Sequence, residues 1–233
     1  MTIYYWAQYP IFFAARFGSR PTPLYLECLL YALRCLYGAR HIGLTLGGTE
    51  TETVLHGSSG ILGLHADAGH AQPGPSTGGH TIEIGNATIH AMSGQHHATT
   101  LATSDAELYE ISRGVAALIG FRQFMTEIGV PQDRPSRCNC DNMGVVLKAN
   151  SNLSDKRSPY MKRRTSFVQE AQISGEIDVV HIPGEENRAN ILTKALAYKI
   201  FAKHRDKIMN VGRMALSVHS ALCMNARALM NDD

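Results

Sequence analysis

Three carboxylates stand where an α/β chain could bring them together: Asp67 in "LHADAGHA", Glu107 in "TSDAELYE" and Asp141 in "CNCDN". Asp67 closes a short apolar run, Glu107 lies in the first turn of a long segment with helical periodicity, and Asp141 closes a second short apolar run. Strand ends and helix starts meet at one edge of an α/β sheet, where such folds build their sites. Carboxylates gathered there would be close enough to share divalent cations. Each also has a purely local reading: Asp67 as a turn residue, Glu107 as half of a capping box with Ser104, and Asp141 as the cap of a helix starting at Asn142.

The elements that must position them are legible along the chain. "PLYLECLLYALRCLY", residues 23–37, places apolar side chains at helical spacing behind a Pro-Thr-Pro start, and Gly38 closes this amphipathic helix. A strand-like run from His41 and a polar turn region lead to an apolar strand ending at Asp67. "GGHTIEIGN" and "ATIHAMSGQHH" alternate as two antiparallel strands about a Gly85-Asn86 turn. From Ser104 the period changes: Leu108, Ile111, Val115, Leu118, Phe121, Phe124 and Ile128 recur every three or four residues, with Ser104 as N-cap and Gly129 as the stop. A strand "SRCNCD", a short helix "MGVVLKAN", a basic helix "SPYMKRRTSFVQEAQISG" and a strand "EIDVVHIP" follow. The last predicted helix runs unbroken through "ANILTKALAYKIFAKHRDKIM". This order predicts a mixed α/β domain over 58–212, an N-terminal helical arm over 1–57 and a tail over 213–233.

With 233 residues and 44% hydrophobic composition the chain can bury a sizeable core. A formal charge of +2 means that any nucleic-acid surface must come from local clustering. Residues 148–164 supply such a cluster, with Lys156, Arg157, Lys162, Arg163 and Arg164 as candidate backbone contacts against the single acid Asp155; a solvated helix face is the alternative. Five cysteines with neither a paired framework nor a zinc spacing point to an intracellular setting, and the acid-free, Arg-containing first residues leave mitochondrial import as a lesser alternative. No apolar run approaches the roughly 20 residues needed to span a bilayer.

Taken in order, "DAGHAQ" from Asp67, "TSDAEL" from Thr103, "CDN" at Cys140–Asn142 and "ANILTK" from Ala189 resemble the ribonuclease H region of copia-type retrotransposon polyproteins. That family carries D-A-D-W-A-G, T-T-E-A-E-Y, C-D-N and A-D-I-x-T-K at the corresponding places. "RPTPLYLECLLYALRCLYGARHIGL" resembles the connection helix between reverse transcriptase and ribonuclease H, and the likeness extends from about residue 9 to about residue 212.

The resemblance implies a ribonuclease H-like fold, a five-stranded mixed sheet with three antiparallel and then two parallel strands flanked by helices. It implies hydrolysis of the RNA strand of RNA/DNA hybrids with two Mg²⁺ ions, for which Mn²⁺ would substitute, held by Asp67, Glu107 and Asp141. Hard cations of this kind prefer oxygen ligands, and a pair of them suits in-line displacement at phosphorus. Asn190 answers to the family's fourth carboxylate, and loss of a ligand charge costs about 10 to 100 fold in affinity or activity. Gly69 and His70 replace the family's second aspartate and tryptophan; Gln95 and His96 replace a lysine pair. These departures frame an alternative, a domesticated, non-catalytic fold that binds RNA within a ribonucleoprotein. The aromatic arm of Tyr4, Tyr5, Trp6, Tyr9, Phe12 and Phe13 is expected to pack against a partner, reverse transcriptase or a ribonucleoprotein.

Overall fold

The strand registers assemble one sheet in the order β3-β2-β1-β4-β5, from β1 (Leu62–Gly69), β2 (Thr77–Ile84), β3 (Ala87–Gln95), β4 (Ser136–Cys140) and β5 (Ile177–His181). The first three strands are antiparallel neighbours, and β4 and β5 run parallel to β1. This is the ribonuclease H-like arrangement the sequence leads one to expect. The structure is a computed structural model that describes residues 4–16, 18, 22–46, 61–69, 75–85, 87–97, 102–151 and 159–211. The expected boundaries at 57/58 and 212/213, and the tail, lie outside these residues. Gly85, at φ 58°, provides the left-handed residue that the tight β2–β3 hairpin requires.

Six α-helices are described: α1 (Gln8–Ala15), α2 (Pro23–Gly38), α3 (Thr103–Glu127), α4 (Met143–Ala149), α5 (Pro159–Ile173) and α6 (Tyr198–Ile208). The periodic face of α3 places Leu108, Ile111, Val115 and Leu118 on Leu62, Leu64 and Ile82 of the sheet, all almost wholly buried. Burial of each such side chain contributes about 1.5–3 kcal/mol. This core fixes α3, and hence Glu107, over β1.

The opposite face is covered by the 3-10 helix Arg188–Leu192, α6 and the N-terminal arm. Trp6 is 2% exposed and meets Phe201 edge-on at 5.8 Å; Tyr5 Oη donates to the Ile89 carbonyl at 3.2 Å and Gln8 Nε2 to that of Ala91 at 2.9 Å. The innermost aromatic residues of the arm therefore cover this chain's own sheet, which corrects the expectation that they face a partner. Ile11 and Phe13 stay exposed, as do Leu24, Leu26, Leu33 and Tyr37 of α2. That helix is apolar on more than one face, and the single stripe read as amphipathic is too narrow a description.

Two further expectations are corrected. Ser104 is not the N-cap of α3; Ala102 holds that position, with no side-chain cap. The last helix is not continuous: the 3-10 helix Arg188–Leu192 ends before α6, and Ala197 between them is extended at φ −58°, ψ 143°. Asn187 starts the 3-10 turn by accepting from the Ala189 amide at 3.2 Å, and its side chain is tied to the sheet, so this segment follows the sheet edge and not a helix axis.

Candidate active site

None of the three carboxylates takes the local role open to it in the sequence. Asp67 lies inside β1, paired with Gly79, and not in a turn. Glu107 lies beyond the first turn of α3, whose acidic residue is Asp105, and so completes no capping box, and the cap of α4 is Asn142, whose Oδ1 accepts from the Val145 amide at 3.3 Å. The parallel pairing of β1 with β4 matches Gly63 to Arg137 and His65 to Asn139. The same offset carried two residues further sets Asp67 beside Asp141. Ligand atoms of Glu107, Cys140 and Asp141 all lie within 4.8 Å of one another.

Asp67 and Glu107 are 1% and 6% exposed. Burial, then the charges of Asp67 and Asp141, push the Glu107 carboxyl up to about 9. Burial also raises Asp67, against the pull of Lys194 and Thr193. The Cys140 thiol is raised as well, by burial first and then by Glu107, so it keeps its proton and is a poor donor to a hard ion.

Residues of the 3-10 segment close the site. Asn190 donates from Nδ2 to the Gly184 carbonyl at 2.6 Å, while its buried Oδ1 has no hydrogen-bond partner among the described residues. Gly184 also lies against Asp141: a Cβ there would stand 3.2 Å from Asp141 Oδ2. Three residues here were not singled out in the sequence. Asn187 donates to the Ala66 carbonyl at 2.9 Å and to Asp141 Oδ1 at 3.3 Å. Thr193 Oγ1 donates to Asp67 Oδ2, and Lys194 Nζ lies 3.3 Å from Asp67 Oδ1. All belong to "NRANILTK", where Asn187 has a capping residue type; their tertiary bonds have no periodic signature.

The donor set fits a hard divalent cation. It offers three carboxylates, and two buried oxygens, Glu107 Oε2 and Asn190 Oδ1, lack partners among the described residues, an expensive state unless a cation meets them. A consequence is measurable. The raised Glu107 pKa means that the native state holds a proton the unfolded chain releases near 4.5, so this stabilisation is complete below about 4.5 and lost as pH rises through about 9. The melting temperature of metal-free protein should fall between pH 5 and pH 9, and the increment from added Mg²⁺ should grow over the same window. An increment independent of pH would contradict this picture.

No protein-family model matches the chain. Among curated proteins it is 26% identical over 199 residues to the Retrovirus-related Pol polyprotein from transposon RE1 of Arabidopsis thaliana, covering 83% of this chain. It is 24% identical over 185 residues to the corresponding polyprotein from transposon TNT 1-94 of Nicotiana tabacum, covering 78%. The chain is homologous to copia-type retrotransposon Pol polyproteins. It spans 13% of the length of either relative. Among solved structures, the compost-derived LC11-RNase H1 is similar with a TM-score of 0.46 and 23% identity, covering 62% of this chain and 97% of that one. RNase H1 of Halobacterium salinarum is similar with a TM-score of 0.43 and 18% identity, covering 57% and 95%.

The basic stretch is divided. Lys156 and Arg157 fall outside the described residues, and Lys162 and Arg163 are exposed on α5. Arg164 is engaged internally: its guanidinium lies 3.8 Å from the Tyr109 ring centre and donates to Ser112 Oγ at 2.6 Å. His96 is buried. Its Nε2 lies 3.0 Å from Glu110 Oε2, and its ring stacks on Tyr109 at 4.2 Å.

Proposed function

We propose that this chain is a ribonuclease H of retrotransposon type, which hydrolyses the RNA strand of RNA/DNA hybrids with divalent-cation assistance. The observation that carries the reading is that Glu107 and Asp141 lie within ligand-sharing distance, with Asp67 near enough for its charge to act on Glu107, and that all three local roles are unfilled, in a chain homologous to Pol polyproteins. Bound at Glu107 and Asp141, Mg²⁺ or Mn²⁺ would supply charge for an in-line attack of water on a phosphodiester and for the departing 3′ oxygen. The chain's own residues then have separate tasks. Asn187 orients Asp141, Thr193 orients Asp67, and the buried α3 start keeps Glu107 in a site of low dielectric, where charge–charge interactions are strong. Exposed Lys162 and Arg163 would hold the nucleic-acid backbone in a salt-sensitive, sequence-independent way. The exposed apolar side chains of α2 would meet an adjoining reverse transcriptase segment.

The test is strand-specific cleavage. Pure protein in Mg²⁺ should cut labelled RNA annealed to DNA, leave the DNA strand and a DNA duplex intact, and cut faster in Mn²⁺. Folded protein that binds hybrid but cuts neither strand with either ion would instead select the non-catalytic RNA-binding alternative.

Asn190 is the weak point of the site. Asn190→Asp exchanges the donor facing the Gly184 carbonyl for an oxygen and adds a charge to an acidic cluster. Without metal the variant should lose about 1–3 kcal/mol of stability in urea denaturation. With Mg²⁺ limiting, its cleavage rate should rise about tenfold, reversing a ligand loss of ordinary size. Unchanged stability and unchanged rate would show that Asn190 is not part of the site.

A further inference from the structure

We propose that the groove between α3 and α5 is a binding site for single-stranded nucleic acid, with an unpaired base stacked on Tyr160 and the adjoining phosphates at Arg163 and Arg113. This extends the proposed backbone contact at Arg163 and uses neither the metal cluster nor the cleavage step.

Tyr160, Arg163, Arg164 and Phe167 stand at i, i+3, i+4 and i+7 of α5, which puts two aromatic rings and two guanidinium groups on one helix face. With Ser112, Arg113 and Ala116 of α3 they line an open groove of about 510 Å³, and no carboxylate is among its lining residues. At about 100° per residue, Ser112, Arg113 and Ala116 lie roughly 140°, 240° and 180° around α3 from Glu107. The groove therefore opens on the side of the helix turned away from the carboxylates, and a strand held there is not the stretch being cut.

The three arginines differ in what they have left to offer. Arg164 is fixed between two rings, its guanidinium carbon 3.8 Å from the centre of Tyr109 and 4.7 Å from that of Tyr160, and it donates to Ser112 Oγ at 2.6 Å and to Tyr160 Oη at 2.5 Å. It continues the stack of His96 on Tyr109 and holds Tyr160, 38% exposed, as the solvent-facing end of the series. Arg113 is tied to the buried Glu110 carboxylate at 3.1 Å and keeps 18% of its side chain exposed. Arg163 is exposed and has no ion-pair partner among the described residues. An exposed ring beside an uncompensated guanidinium complements an unstacked base and its phosphate, whatever the base, because every base has a π-face. A base inside a duplex is already stacked on both sides, so the groove selects a single strand over the hybrid.

Fluorescence anisotropy in EDTA tests this with a labelled oligothymidylate and an abasic strand of the same length. Wild-type protein should bind the oligothymidylate at least about fivefold more tightly than the abasic strand; Tyr160→Leu should erase the difference and Tyr160→Phe should keep it. Arg163→Ala should weaken binding of both strands and lower the slope of log affinity against log salt by about 0.7. Equal affinity of wild-type protein for the two strands, or a base preference that survives Tyr160→Leu, would overturn the stacking site. Loss of the preference in Tyr160→Phe as well would overturn it too, by reducing Tyr160 to an anchor for Arg164. Binding of RNA/DNA hybrid without binding of the single strand would overturn this inference and leave the nuclease reading intact. Single-strand binding as expected, by protein that cuts no hybrid in Mg²⁺ or Mn²⁺, would sink that reading and keep this one.

Discussion

Asp67→Asn should lower hybrid cleavage by at least about 100-fold, or about 2.7 kcal/mol of transition-state stabilisation, and at the same time make the metal-free protein more stable. The two effects share one cause. The substitution nearly preserves shape, so Thr193 can still donate to an oxygen at this position, but the charge that a cation needs is gone. The same charge is one of those that push the Glu107 carboxyl up to about 9, after burial itself. Removing it relieves repulsion inside a buried cluster, and Lys194, 43% exposed, can turn to water. The melting temperature without metal should rise and the increment on adding Mg²⁺ should shrink. A variant that loses activity and stability together would mean that Asp67 holds the fold and not the chemistry. Functional sites commonly carry such a stability cost.

Glu110→Ala should cost about 3–5 kcal/mol of folding stability, the largest effect expected of any single exchange described here. Glu110 is fully buried on α3, one turn beyond Glu107. Its Oε1 is 2.7 Å from His80 Nδ1, and its Oε2 is 3.0 Å from His96 Nε2 and 3.1 Å from Arg113 Nη1. Burial alone would raise its pKa, yet the hydrogen bonds from the two imidazoles, with Arg113 beside them, hold it down at about 2. The depressed value gives a sign: this stability is present above the unfolded value of 4.5 and is lost as pH falls through about 2. An acidic ionised acceptor also fixes the tautomers, with the proton on His80 Nδ1 and on His96 Nε2. Alanine leaves three donors facing one another in the core; glutamine, which keeps one acceptor oxygen, should cost less. Urea denaturation checks both, and a loss under about 1 kcal/mol for alanine would contradict the assignment.

How much of this could be read beforehand depends on the distance over which each signal acts. The five strands of the sheet, the α3 periodicity through Leu108 to Leu118 and the hairpin at Gly85 are local, and they stand as read; the strand-like run from His41 does not, since residues 41–46 form no strand. Asp67, Glu107 and Asp141 were legible because a strand end or helix start has a topological address in an α/β sheet. The failures are tertiary. Ser104 and Glu107 form a good capping box on paper, but the α3 start is set by packing of Leu108 and Ile111 on the sheet, and Ala102 becomes the cap. The segment after Asn187 has helical composition, yet bonds from Asn187 and Thr193 to residues of β1 far away in sequence draw it along the sheet edge as a 3-10 turn. Glu110 was hidden for the same reason: its histidine partners lie 30 and 14 residues away, on β2 and just after β3.

Crystals of the wild-type protein soaked in Mn²⁺ test the central claim most directly, through the anomalous difference density of the ion. The arrangement of carboxylates predicts a peak within ligand distance of Glu107 and Asp141, absent from crystals of Asp67→Asn soaked at the same concentration. Well-ordered crystals with no peak between those two side chains, at concentrations where the protein is stabilised by Mn²⁺ in solution, would contradict it.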